Sequence, residues 1–240
     1  MHYRTRRIVL FCVALVIVVF GLWQSGNLQL PQAEPPTPMR TTPKSGESTP
    51  VASSALVALD TLPVKGRAPK TDYKRTQFGN GWALRDGCDM RNLILQRDLA
   101  SPVVGEDCKV IRGTLNDPYT GKVIEFARGA DTSDDVQIDH VVALSNAWQT
   151  GAQQLTPDQR IALANDPLEL VAVDGPTNQA KGDGDAATWL PPNKAFRCQY
   201  VARQIAVKQR YALWVTTSEK EAMQRVLANC PDQQLPSTEK

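Results

Sequence analysis

"DVQIDHVVALSNAW", residues 135–148, decides how the chain is read, because it holds His140 and the only other histidine, His2, stands in a charged leader. Val136 and Ile138 alternate with polar residues, the period of a half-buried strand. Asp139 and His140 therefore fall at a strand end, with side chains on opposite faces. Chemistry that needs an imidazole must use His140. A peptidase or amidase built on a Ser-His-Asp arrangement fails for want of a second histidine or a paired nucleophile.

The pattern continues downstream. "VALSNAWQTGAQQ" predicts a helix, and "LTPDQRIALAND" another, with Thr156 as N-cap and Pro157 at the first helical position. Asn165 lies just before a second strand, "PLELVAVD" (167–174). That strand runs into "GPTNQAKGD", a turn able to open a helix, with Asn178 and Lys181 at its mouth. This order brings a carboxylate, an imidazole and amide oxygens together across a hairpin closed by a helix.

These groups suit metal-assisted phosphodiester hydrolysis. Asp139 and Asn178 offer hard oxygen ligands for Mg²⁺, with Mn²⁺ as a substitute. The ion neutralises charge on the scissile phosphate and on the departing 3′-oxygen. His140, with an ordinary pKa of about 6.5, is suited to deprotonate the attacking water. Asn165 is expected to fix the loop or orient the imidazole, and Lys181 to reach a phosphate oxygen. The product would carry a 5′-phosphate.

The flanking sequence sets the fold class. "RDGCDMRNLILQRDL" reads as a turn into a short helix. "CKVIRGTL", "NDPYTG" and "KVIEFARG" read as a β-hairpin whose turn chemistry comes from Asn116, Asp117, Pro118 and Gly121. After "WLPP", the stretch "NKAFRCQYVARQIAVKQRYAL" has helical periodicity through Phe196, Tyr200, Val201, Ile205, Lys208 and Ala212. "SEKEAMQRVLANC" predicts a last helix with a capping box from Ser218 and Glu221. The class is α+β, with an N-terminal β-hairpin, a central hairpin plus helix, and C-terminal helices. Trp148 and Trp189 read as core anchors. Asp183 and Asp185 in "KGDGD" lack the spacing of a calcium loop.

Residues 1–23 combine Arg4, Arg6 and Arg7 with the uncharged run Ile8 to Trp23, which reads as a signal peptide or a signal anchor. The chain is expected to be extracellular or at the cell surface, held to a membrane by residues 8–23 or released by cleavage. Residues 24–53 are Pro/Ser/Thr-rich, a solvated linker too poor in apolar groups to fold. Residues 54–232 form one domain, followed by a tail, 233–240.

Cys88, Cys108, Cys198 and Cys230 suit an oxidising compartment. Four cysteines allow three pairings; Cys88–Cys108 and Cys198–Cys230 are favoured because each staples neighbouring elements. A zinc ion held by all four lacks the C-x2-C spacing such sites use. Residues 53–240 hold 22 Lys/Arg against 23 Asp/Glu, so bulk charge alone does not argue for a nucleic-acid partner. The basic stretches 65–75 and 194–210 read as solvated faces.

At "IDHVVALS" and "NDPLELVAVDGPTNQAKGD" the sequence resembles the HNH, or ββα-metal, nuclease superfamily, in the variant written D-H, N, N-x-x-K-x-D. The likeness extends through "FGNGWALRDGCDMRN", "NDPYTGKVIEF", "WLPP" and "VKQRYAL", roughly residues 70–230. That fuller set resembles exported bacterial HNH proteins related to the C-terminal nuclease domain of modification-dependent restriction enzymes. The resemblance implies a ββα-metal core with Asp139 and Asn178 on a metal and His140 as general base. Asn165 takes the middle position of the motif, Lys181 the lysine, and Arg91 a substrate-side arginine. It also implies a nucleic-acid substrate, DNA ahead of RNA, cut with low sequence specificity by a monomer. The alternative is a catalytically inactive extracellular module of the same fold that binds nucleic acid or an envelope polymer.

Overall fold

The computed structural model describes residues 54–130 and 133–236. The expected leader and linker, residues 1–53, lie outside the described residues. Among those described, no helix is long and apolar enough to cross a membrane.

Seven α-helices and seven strands are described. They are α1 (Ala55–Thr61), β1 (Leu84–Arg85), β2 (Cys88–Asp89), α2 (Met90–Asp98), β3 (Leu99–Val104), β4 (Val110–Asn116), β5 (Val123–Ala127) and β6 (Val136–His140). There follow α3 (Leu144–Gln149), α4 (Pro157–Ala164), β7 (Leu170–Asp174), α5 (Gly175–Lys181), α6 (Arg197–Arg210) and α7 (Thr217–Leu227). The α+β class expected from the sequence is the one observed, with small antiparallel sheets.

The expected hairpin is present as β4 and β5, with one strand more than the sequence suggested. β3 pairs with β4 to make a three-stranded sheet. Its "SPVV" segment carries a proline and no clean alternation, which disguises an edge strand.

Antiparallel β6 and β7 form a separate two-stranded sheet in the register Ile138↔Ala172 and His140↔Leu170. One face carries Val136, Ile138, Leu170 and Ala172 into a core shared with α2 and β4. The opposite face carries Val171 and Val173 into a larger core with Tyr119, Tyr200, Val201 and Ile205. Because side chains alternate, a sheet lodged between two cores must be apolar on both sides. Gln137 and Asp139 are the polar exceptions on the α5 side.

Helix ends follow their caps. Thr156 caps α4 with Pro157 at its first position, as expected, and Gln159 completes a reciprocal capping box. The last helix begins two residues earlier than Ser218 and Glu221 suggested, with Thr216 and Glu219 as the box. The reason is tertiary: Glu219 is buried, 3.1 Å from the ammonium of buried Lys208 on α6, so the register that reaches Lys208 prevails. The helix expected after His140 is shorter than its sequence, because α3 stops at Gln149 and Gly151 takes φ 133°.

Both favoured disulfides are present. Cys88–Cys108 ties β2 to the β3–β4 connection, and Cys198–Cys230 ties α6 to the chain after α7. Residues 233–234 are no free tail: Ala55 donates to the Gln233 carbonyl at 2.8 Å, and Ser54 bridges to Gln234.

α5 packs across β6 and β7 through one close approach. Gly175 N–H donates to the Asp135 carbonyl at 2.9 Å, and a Cβ on Gly175 would lie 2.0 Å from the Asp134 carbonyl oxygen. Gly175→Ala is therefore expected to lift the start of α5 and lower stability by about 1–3 kcal/mol. Urea denaturation checks this, with Gly66→Ala, where a Cβ meets nothing within 4 Å, as the neutral control. An unchanged midpoint in Gly175→Ala would contradict the close approach.

Candidate active site

The structure brings Asp139, His140, Asn178 and Arg91 to the wall of one cavity of about 500 Å³, with Gln137 and Asp183 beside them. Among the described residues β6 pairs with β7 alone, and residues from both faces of β6, Gln137 and Asp139 on one and Ile138 and His140 on the other, line the cavity.

Asp139 is buried on the α5 face. Lys181 donates to both of its carboxylate oxygens at 2.8 Å, and the Tyr119 hydroxyl donates to Oδ2. A carboxylate offers about four lone-pair positions, so three bonds leave one for a further partner. Tyr119 is itself fully buried, and burial followed by the Asp139 charge raises its phenol well above the usual range.

Lys181 comes from the last turn of α5, its side chain 0% exposed. Its third bond, at 2.6 Å, goes to the His140 carbonyl. An ammonium has three N–H donors, and all three end within the chain. The phosphate contact expected of Lys181 therefore has no donor left, and its contacts make it a brace for Asp139 and the end of β6.

His140 points to the other face. Its ring stacks on Trp82, with centroids 5.7 Å apart and planes 4° from parallel. Its Nε2 lies 2.9 Å from the Ala164 carbonyl oxygen. A carbonyl only accepts, so Nε2 carries the proton and the neutral ring keeps its lone pair on Nδ1. Burial, then the Arg75 charge, lowers the imidazole pKa from 6.5 to about 3, against the Ala164 bond, which raises it. The ring is neutral across the physiological range.

Asn165 does not touch His140. As C-cap of α4 it accepts from Ala83 N–H at 2.8 Å and donates to the Ile161 carbonyl at 2.9 Å. It thereby holds the 81–83 segment that carries Trp82, and it directly follows the residue whose carbonyl fixes the imidazole.

Asn178 lies in the middle of α5. Its Nδ2 donates to Gln137 Oε1 at 3.0 Å, which turns the amide oxygen away as the free acceptor. Arg91, at the start of α2, donates from Nη2 to the Ser133 and Val136 carbonyls, each at 3.2 Å. It anchors the approach to β6 while lining the cavity.

Several residues of the site were not singled out in the sequence. "NDPYTG" signalled only a turn, yet its Tyr119 reaches Asp139. Its buried Asp117 accepts the Asp174 N–H at 2.9 Å and so ties the β4–β5 turn to the start of α5. An aromatic residue inside a turn was the one available sign. Trp82 and Gln137 carried no signal of their own. Glu169, wholly buried, accepts from Val142 N–H at 3.1 Å, and burial raises its carboxyl well above the usual range. The basic stretch 65–75 is partly spent on acids after α5: Arg67 pairs with Asp185 at 2.6 Å and Lys70 with Asp183 at 3.0 Å.

The sequence of this site has close parallels. The family described as "GmrSD restriction endonucleases, C-terminal domain" matches residues 91–226. The chain belongs to this family. It therefore carries a nuclease-type domain, and the matched span includes Asp139, His140, Asn165, Asn178 and Lys181. Arg75, Trp82 and Ala83, which cover His140, precede that span. An "Uncharacterized secreted protein" of Arthroderma benhamiae is 37% identical over 197 residues, covering 81% of this chain and 92% of the relative.

Donor chemistry tests whether a divalent cation fits. Among the described residues no cluster of three or more His, Cys, Asp or Glu is present, which leaves no soft or carboxylate-rich cage. Asp139 and Asn178, whose oxygens are hard donors, both line one cavity. That set fits an ion that retains most of its water, as Mg²⁺ does.

The neutral, buried imidazole has a consequence for stability. Between pH 6.5 and about 3 the unfolded chain binds a proton at His140 that the folded chain does not, so stability falls as pH drops through that window. Buried Glu169 works in the opposite direction, losing stability as pH rises above its ordinary range. His140→Gln is expected to flatten the acid loss specifically. Denaturation midpoints of both proteins from pH 7 to pH 4 read the difference; parallel curves would show that His140 is not held neutral.

Proposed function

We propose that this chain is an exported, metal-dependent endonuclease that hydrolyses phosphodiester bonds of nucleic acid with low sequence specificity. One observation carries the reading. A neutral imidazole, its proton held on Nε2 by the Ala164 carbonyl, lines the same cavity as the carboxylate of Asp139 and the amide of Asn178.

His140 is the general base, accepting a proton from the attacking water on Nδ1. Trp82 and Ala164 hold its plane and tautomer, so the lone pair is aimed before substrate arrives. Asp139 and Asn178 are the residues that would hold Mg²⁺, with Mn²⁺ as a substitute. The ion, when bound, supplies charge neutralisation at the scissile phosphate and the departing oxygen. Gln137 sets the direction of the Asn178 amide, and Lys181 with Tyr119 fixes the Asp139 carboxylate. Arg91, whose other guanidinium nitrogens make no hydrogen bond among the described residues, meets a substrate phosphate in this reading. Asn165 is a positioning residue acting through the 81–83 segment. The β6, β7 and α5 unit is in this reading a ββα-metal core.

Export is supported by the secreted relative, by the two disulfides and by the basic-then-apolar pattern of residues 1–23. The commitment of most of the Asp139 carboxylate to Lys181 and Tyr119 favours, as a second reading, a binding module without catalysis.

A plasmid-nicking assay on the purified protein separates the two. Activity with Mg²⁺ or Mn²⁺, abolished by EDTA, is expected, and His140→Ala should lower it by about 10²–10⁴-fold. Asp139→Ala and Asn178→Ala should lower it and raise the metal concentration needed. No cleavage by the parent with either ion would leave the binding module as the surviving reading, whereas cleavage undiminished in His140→Ala would remove His140 as the general base.

A further inference from the structure

Beyond the 81–83 and 164–165 segments lies a larger cavity of about 620 Å³, and Ala83 and Asn165 line it. The same two residues are joined by the 2.8 Å hydrogen bond that holds Trp82 over His140. One thin wall therefore separates this cavity from the candidate active site.

Its lining includes the four arginines Arg85, Arg97, Arg203 and Arg210, against the single carboxylate of Asp166. The chain itself has spent part of this charge in a directed way. Arg97 donates to the Pro167 and Leu170 carbonyls at 2.8 and 2.7 Å. Arg203 donates to Leu168, Pro167 and Leu170 carbonyls at 2.6, 2.8 and 3.0 Å. Both guanidinium planes are thus held in place by carbonyls of the segment leading into β7. Those carbonyls lock the orientation of Arg203 without a carboxylate bonding to it directly, and the nearby acids Asp98 and Glu169 act on it only through their charge. Arg97 is chelated by neighbouring Asp98. Arg210 is paired with Asp166 at 2.8 Å, a carboxylate that also accepts the Tyr211 hydroxyl at 2.7 Å. Among the described residues, Arg85 makes no side-chain bond, and Nη1 of Arg203 has none.

We infer that this cavity is a second phosphate subsite, which takes a backbone phosphate of the same nucleic-acid strand, away from the bond being cut. The inference rests on the nuclease reading above and adds where the strand runs. Guanidinium forks match phosphate oxygens in pairs, and Arg85 and Arg203 provide the unspent donors. A chain whose domain has almost no net charge needs local clusters of this kind to hold a polyanion. No base edge is read by such a contact, which accords with low sequence specificity.

The test is binding without cleavage. A labelled single-stranded DNA of about 20 nucleotides is titrated with the whole protein in EDTA at several salt concentrations. Arg85→Ala is expected to weaken binding by about threefold to tenfold and to reduce the slope of log K against log salt by about 0.7. Arg85→Lys should keep the slope while losing part of the affinity. Arg225→Ala, the same charge removed on α7, should leave both near the parent. Equal losses in Arg225→Ala and Arg85→Ala, or no loss in either, overturn the subsite. So does calorimetry in which inorganic phosphate needs Arg85 but the oligonucleotide does not, since the ligand is then a free anion. The two readings fail separately. Absence of cleavage with Mg²⁺ and Mn²⁺ counts against the nuclease, whereas Arg85-independent DNA binding counts against the subsite alone.

Discussion

The buried contact between Lys181 and Asp139 holds this structure's centre together. It joins α5 to β6, and through the third Lys181 bond it also holds the carbonyl of His140. Tyr119 adds the β4–β5 turn to the same carboxylate. Taking two charges out of water costs several kcal/mol each, and the mutual attraction offsets this only when the remaining hydrogen-bonding capacity is satisfied. Here it largely is, with all three ammonium donors used and the carboxylate accepting three bonds. Removing either partner would strand a charge in the interior, a loss of about 3–5 kcal/mol. Three elements distant in sequence are thus forced to meet at this residue pair.

The imidazole is governed by a different constraint. Burial alone would make His140 neutral, but it would not choose a tautomer. The Ala164 carbonyl makes that choice, and the Trp82 ring fixes the plane. Asn165 links these supports, because it follows Ala164 and grips Ala83. Asn165, a motif residue, thus contacts the frame around the imidazole and not the imidazole itself. Three arginines are oriented on the same logic: Arg91, Arg97 and Arg203 are each steered by main-chain carbonyls, and Arg97 is also paired with Asp98.

Much of the fold was legible because its signals are local. The capping box at Thr156, the alternation of Val136 and Ile138, the turn at Asn116 to Gly121 and the periodicity of residues 197–210 each lie within one element. Where local signals competed, the tertiary contact prevailed. Two overlapping capping boxes precede the last helix, and the pull of Lys208 on Glu219 selected the earlier one. The β3 strand was missed because pairing with β4, not its own pattern, makes it a strand.

The sequence by itself determined the residue types that chemistry would draw on, their order along the chain and the α+β class. Those are encoded in spacings of a few residues, where backbone sterics and side-chain periodicity act directly. Only the tertiary structure decided what each of those groups touches. Asp139 meets Lys181 across 42 residues and Tyr119 across 20, and Asn165 meets Ala83 across 82. Contacts at that separation depend on how two cores pack around a two-stranded sheet, and no short stretch of sequence records it. That is why Lys181 reads as a phosphate ligand in the sequence and as a brace in the fold: a buried ammonium bonds to whatever packing places within reach.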